Sequence, residues 1–167
     1  VFASEYGEDN PHRIAGKRFY SENQWPEDLP GFEETVNEYM DTLTGLGKKM
    51  LPLWALALEL PVDYFVPYFE DNYTYFRMSH YPPVSELDDN EFGLGPHADT
   101  GFMTFLPQAD VEGLEILDVD GTWFRPPRMD DAILVNTGQF LGRWSNNRFR
   151  ATPHRVIPPK SIDRYSI

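Results

Sequence analysis

The run Gly93-Leu94-Gly95-Pro96-His97-Ala98-Asp99-Thr100 decides the reading of this chain. His97 and Asp99 are two residues apart, so an extended backbone sends both side chains to the same face. A second histidine, His154, stands 55 residues after Asp99 in Thr152-Pro153-His154-Arg155-Val156, another strand-like segment, with turn residues between. Two neutral imidazoles and one carboxylate on one side of a metal ion leave the opposite positions open. That donor set suits iron(II), and manganese, cobalt, nickel or zinc fit the same ligands. A lone His-X-Asp is a weak signal, because most such triplets are solvated polar residues. The weight rests on what accompanies it.

Three companions stand in order around the run. His80-Tyr81-Pro82-Pro83 lies upstream, Asn136-Thr137-Gly138 downstream, and Arg164-Tyr165-Ser166 begins ten residues after His154. Arg164 and Ser166 are again two apart and share a strand face. The ordered set resembles the isopenicillin N synthase-like branch of the 2-oxoglutarate- and iron(II)-dependent dioxygenases, from about Asn23 to the last residue. Two positions depart from the commonest pattern of that branch: Ser79, where asparagine is frequent, and Gln139, where an acid is. Neither is a proposed metal ligand.

The resemblance implies a mainly β fold with flanking helices, a double-stranded β-helix of the jelly-roll, cupin-like kind. It implies that His97, Asp99 and His154 form the catalytic, metal-holding triad, with iron(II), 2-oxoglutarate and dioxygen as cofactor and co-substrates. Arg164 and Ser166 would hold the distal carboxylate of 2-oxoglutarate, the guanidinium through two parallel hydrogen bonds. Tyr81 would join them through its phenol, with core packing beside Pro82 as an equal alternative. The charges agree: a ferrous ion, one aspartate, a dianionic co-substrate and one guanidinium leave no net charge to bury. The implied activity is oxidation of an unactivated C–H bond of a small molecule, by hydroxylation, desaturation or cyclisation, with release of succinate and carbon dioxide. Two alternatives stand beside it. One is an oxidase like isopenicillin N synthase, in which Arg-X-Ser binds a substrate carboxylate. The other is a non-catalytic jelly-roll binding module with a vestigial or zinc-filled triad.

Composition bounds the remaining choices. The 167 residues suffice for one domain with a real core. The expectation is a single catalytic oxygenase domain over 1–167, with an irregular lead-in at 1–30, a helical scaffold at 31–68 and a jelly-roll core at 73–167. The first residue is valine and the last segment stops in what reads as a strand. The chain is therefore expected to be the catalytic part of a larger enzyme, truncated at both ends. With no cysteine, disulfide frameworks and thiolate metal sites are excluded. No apolar run approaches a membrane span. A net charge of −13 argues against nucleic acid, including a nucleic-acid demethylase role, and against anionic membranes as partners. The expected compartment is the cytoplasm, and the oligomeric state is left open. Residues 125–167 hold eight Lys/Arg against three Asp/Glu, while the rest hold six against twenty-four. Most of those arginines are expected to pair with carboxylates elsewhere in the fold, Arg164 excepted.

Along the chain, Phe32, Val36, Tyr39, Met40, Leu43, Leu46, Met50 and Leu51 recur at helical steps and predict a helix over 31–59. A kink or a second helix is expected at Pro52. Pro61 is expected to open a short helix through Tyr68. Strands are expected at 73–78, 101–106, 114–119, 122–125, 132–136, 149–152, 154–157 and 164–167, with an acidic loop at 84–91 and a hairpin at Asp120-Gly121. Residues 138–144 read as a short helix or turn. His12 is expected at the surface, and His80 as structural or part of a substrate pocket. Phe102, Phe140, Trp144 and Phe149 are candidates for a pocket wall, with plain core the favoured role.

Overall fold

A computed structural model describes residues 1–86, 88 and 91–167 as two compact units, Val1–Arg77 and Met78–Ile167. The acidic loop expected at 84–91 includes residues 87, 89 and 90, which lie outside the described residues.

In chain order the first unit contains β1 (Phe2–Ala3), α1 (Pro11–Ile14), α2 (Phe32–Ala57), a 3₁₀ turn (Val66–Phe69) and β2 (Tyr75–Phe76). The lead-in is less irregular than its Pro- and Gly-broken sequence suggests. Phe2 and Ala3 pair antiparallel with Phe76 and Tyr75. The Asn10 side chain caps α1 by accepting from the His12 and Arg13 amides, and Pro11 supplies the fixed φ of a first turn. His12 is exposed. Phe2, Val36 and Met40 form a small core, closed by Trp25, which stacks on Phe2 at 4.4 Å, and by Phe32 and Phe76.

Helix α2 runs unbroken through Pro52, so no second helix begins there. A proline inside a helix costs about 3 kcal/mol. Leu51 and Ala55, on either side, are buried, which returns an energy of that order and keeps the helix whole. Glu33 and Glu34 occupy the first turn, where the macrodipole favours acids. The α-helix expected from Pro61 does not form. Residues 62–65 are turns, and only Val66–Phe69 is helical, of the 3₁₀ kind. Pro67 explains this: it has no amide to donate, and it disfavours α geometry at Val66. Among the described residues no helix is long and apolar enough to cross a membrane.

The second unit is built of short antiparallel strands: β3 (Ser79–Tyr81), β4 (Leu94–His97), β5 (Met103–Pro107), β6 (Leu114–Leu117), β7 (Trp123–Phe124), β8 (Ile133–Thr137), then helix α3 (Gln139–Trp144), β9 (His154–Val156) and β10 (Arg164–Ser166). They pair as a four-stranded sheet in the order β4-β9-β6-β7 and as the two-stranded sets β10-β3 and β5-β8. The Asp120-Gly121 signal is a true hairpin, β6 to β7, closed by the Asp118 amide on the Thr122 carbonyl at 2.8 Å. Residues 149–152 are not a strand. The Arg150 carbonyl accepts from the Thr137 and Thr152 hydroxyls, and Pro153 has no amide to extend a ladder.

Residues 138–140 lie tightly along 99–102, through Gly138 to the Phe102 carbonyl, Gln139 to Asp99 and Phe140 to Gly101, at 2.8–3.1 Å. A Cβ on Gly138 would sit 2.1 Å from the Gly101 carbonyl oxygen, and the nearest atoms are all Gly101 backbone. Gly138→Ala is therefore expected to lower stability by about 1–3 kcal/mol, as overpacking does. The denaturant midpoint is the measurement, and a wild-type midpoint would contradict this packing.

Candidate metal centre

Strands β4 and β9 place the two histidines. They are directly opposed in the antiparallel ladder, His97 against His154, with ring centroids 4.3 Å apart. Between Leu94 and His97 the register slips by one residue, a bulge at the Gly95-Pro96 step where proline cannot donate to the ladder. The bulge brings His97 rather than Pro96 opposite His154. Asp99 lies just beyond the end of β4, yet its Oδ1 is 3.7 Å from His97 Nε2 and 3.6 Å from His154 Nε2. One donor atom from each of the three lies within 4.8 Å of the others.

Both imidazoles are oriented alike. His97 Nδ1 contacts the Gly95 carbonyl at 2.9 Å, and His154 Nδ1 contacts the Thr152 carbonyl at 3.1 Å. A carbonyl only accepts, so each Nδ1 carries the proton and each Nε2 turns a lone pair toward Asp99. That is how a metal-binding histidine is held by its surroundings. Asp99 is held as well. Its Oδ2 accepts from Thr104 Oγ1 at 2.7 Å and from Asn136 Nδ2 at 2.9 Å, which leaves Oδ1 for the histidines. Thr104 and Asn136 are themselves cross-strand partners in the β5–β8 ladder. Asn136 belongs to a motif visible in the sequence. Sequence reasoning misses Thr104, and no local signal marks it, because its role depends on the pairing of two distant strands.

The residues present fit a divalent ion. Two donors each about 2.1 Å from one ion lie at most about 4.2 Å apart, and the carboxylate-to-imidazole distances fall inside that bound. The donors are two neutral nitrogens and a hard oxygen, as iron(II) accepts.

Strands β10 and β3 pair Arg164 with Tyr81, Tyr165 with His80 and Ser166 with Ser79. Alternation sends Arg164 and Tyr81 inward, at 3% and 7% exposure, with Ser166 half-buried on the same face. The Arg164 guanidinium lies over the Tyr81 ring at 5.0 Å, and its Nε donates to the Val111 carbonyl at 3.0 Å. Nη1 is buried with no hydrogen-bond partner. Burial pulls the Arg164 pKa below the usual arginine value, and the Tyr81 phenol offsets part of that shift. Gly113 makes room, since a Cβ there would lie 3.1 Å from Arg164 Cδ and 2.6 Å from the Ile157 carbonyl oxygen. Tyr81 in turn packs where a Cβ on Gly93 would meet its ring, next to Val156 of β9. The arginine and tyrosine thus sit against the strand that carries His154.

His80 lies on the other face. It is exposed, stacks on Tyr165 at 4.7 Å and meets Asp163 at 2.6 Å, so it is no part of the inward cluster. Arg125, Arg128 and Arg155 do pair with carboxylates, chiefly Glu112, Glu115 and Asp110. Phe102 is buried as expected, but Phe140 and Trp144 are 65% and 51% exposed and are not core. Helix α3 is only six residues long and presents one side to solvent.

Two histidines on paired antiparallel strands and a carboxylate just past the end of one of them form a facial set that defines a candidate mononuclear, non-haem metal centre. Residues 72–167 match the 2OG-Fe(II) oxygenase superfamily, and the chain belongs to that family. Its fold is the family's jelly roll, and the family's cofactors are iron(II) and 2-oxoglutarate. The 2-oxoglutarate-Fe(II) type oxidoreductase hxnY of Emericella nidulans is 36% identical over 98% of this chain and 48% of its own length. A 2OG-Fe(II) oxygenase family protein of Caulobacter crescentus superposes with a TM-score of 0.83 at 29% identity, over 99% of this chain and 53% of that one. A full-length Neurospora crassa protein, crystallised in complex with alpha-KG, superposes with a TM-score of 0.77 at 31% identity, over 87% of this chain and 51% of that one. The chain spans about half the length of the curated relatives it matches.

Proposed function

We propose that this chain carries the active site of a 2-oxoglutarate-dependent, non-haem iron(II) dioxygenase that oxidises an unactivated C–H bond of a small molecule. One observation carries the reading: two Nε2 lone pairs and one carboxylate oxygen converge, while every other polar atom of the three side chains is engaged by its own strand or a neighbour. His97, Asp99 and His154 would hold the ion. Bound there, iron(II) with 2-oxoglutarate and dioxygen supplies the oxidation, as the co-substrate becomes succinate and carbon dioxide and the substrate gains one oxygen atom or loses two hydrogens. The protein's own part is placement. Arg164 offers a buried, unpaired N–H to a carboxylate, Ser166 adds a hydroxyl on the same strand face, and Tyr81 backs the guanidinium. No side chain has to act as acid or base. The order of the His-Tyr-Pro, His-X-Asp, Asn-Thr-Gly, His and Arg-X-Ser elements supports placement in the isopenicillin N synthase-like branch.

The test is an anaerobic titration of the iron(II)-loaded, full-length protein with 2-oxoglutarate. A weak visible charge-transfer band should grow in, and admitting oxygen should yield succinate. Iron binding without a band would move the assignment to an oxidase that uses Arg164 for a substrate carboxylate. Failure to bind iron would leave a jelly-roll binding module.

A further inference from the structure

We infer that Thr104 and Asn136 are positioning residues that restrict Asp99 to a single donor oxygen and so keep an extra coordination position of the metal open. The inference rests on the metal reading above and goes beyond it, since neither residue offers an atom to the ion. A free carboxylate can bind a metal through one oxygen or through both. Here the choice is made by the fold. Asp99 Oδ2 already accepts two hydrogen bonds, from the Thr104 hydroxyl at 2.7 Å and the Asn136 amide at 2.9 Å. Both distances are those of well-formed hydrogen bonds. The two donors come from directly opposed positions of one ladder, so they approach Oδ2 as a rigid pair. The Asp99 carbonyl is also engaged, by the Gln139 amide at 2.8 Å, which fixes the backbone below the side chain. Oδ1 alone faces the histidines.

The consequence is a count of open positions. A six-coordinate ion with three protein donors keeps three positions, and a two-oxygen aspartate would leave two. A chelating 2-oxo acid takes two, so the third is the one oxygen needs. Thr104 and Asn136 thereby act on the reaction through Asp99, without touching substrate.

Manganese(II) fits the same donors and reports bound water through the relaxation of solvent protons. We would load the full-length protein with manganese(II), measure the metal bound, and compare relaxation per bound ion with that of Thr104→Val, Asn136→Ala and the double variant. Thr104→Val keeps the side chain's shape and removes only the donor, so it serves if the others fail to fold. Relaxation per ion in the double variant should drop by about a third, from three open positions to two. Thr104→Ser, which keeps the hydroxyl, should restore the wild-type value. Unchanged or raised relaxation per ion, with metal still bound, would overturn the inference and leave the metal reading intact. A wild-type protein that takes up no divalent ion would overturn both.

Discussion

His97→Ala and Asp99→Ala should each abolish succinate formation and iron retention together. The three donors have no substitute, because among the described residues no other group of three or more histidine and acid side chains converges. With two donors left, the ion is neither held in place nor held in one orientation. A metal supplies several kcal/mol of charge stabilisation, and each 1.36 kcal/mol is tenfold in rate, so turnover should fall by about 10³-fold or more. The two variants should differ in stability. Asp99→Ala strands the Thr104 hydroxyl and the Asn136 amide, both part-buried donors to its Oδ2, and an unmade buried hydrogen bond costs about 1–3 kcal/mol. His97→Ala releases only one carbonyl, that of Gly95, near the surface. Asp99→Ala should therefore unfold at the lower denaturant concentration. Wild-type iron stoichiometry in either variant would refute the triad.

The triad is visible in the sequence because His97 and Asp99 are two residues apart, although Asp99 falls past the end of β4 and strand alternation alone does not place it. Why the triad closes is not visible there. His97 meets His154 through the register of β4 and β9, and that register includes a bulge at Pro96 which no periodicity announces. The support of Asp99 is less legible still. Thr104 reads as an ordinary strand residue until β8 brings Asn136 against it. Arg164 and Tyr81 stand out separately in the sequence, and their pairing across β10 and β3 makes them one unit. The misreadings share a cause as well. Pro61 suggests a helix through Tyr68, and 149–152 reads as a strand, but Pro67 lacks the amide the first would need and Pro153, just past the second, cannot extend a ladder from it. Aromatic character alone places Phe140 and Trp144 in the core, whereas a six-residue helix has an outer side. His80, next to Tyr81 in sequence, faces away because neighbouring strand residues alternate.

Arg164→Met should weaken 2-oxoglutarate binding by about 10²-fold or more and leave iron binding intact. The protein holds this guanidinium at 3% exposure, with one hydrogen bond from Nε and a buried Nη1 that bonds to nothing. No carboxylate is paired with it among the described residues. Burial lowers its pKa, so the folded state disfavours the charged form. The sign follows from linkage: a base whose folded pKa lies below its unfolded value lowers stability throughout the neutral range, and is relieved only when pH rises through the folded pKa. Methionine removes that burden and keeps much of the stem's volume. Without co-substrate the variant should thus be no less stable than wild type, because relief of the buried charge offsets the loss of the Val111 hydrogen bond and the Tyr81 ring contact. Breaking a buried charged contact to a ligand costs about 2–5 kcal/mol, hence the expected loss of affinity. The two readings must move apart: the charge-transfer titration shifts to higher 2-oxoglutarate concentration while the denaturant midpoint holds or rises. If both fall together, Arg164 is a structural residue. If 2-oxoglutarate affinity is unchanged, the co-substrate's carboxylate is held elsewhere. A cation kept buried without a carboxylate partner, with one guanidinium nitrogen unbonded, makes sense where an anionic ligand completes it, and Arg164 is the described residue that meets this condition beside the strand carrying His154.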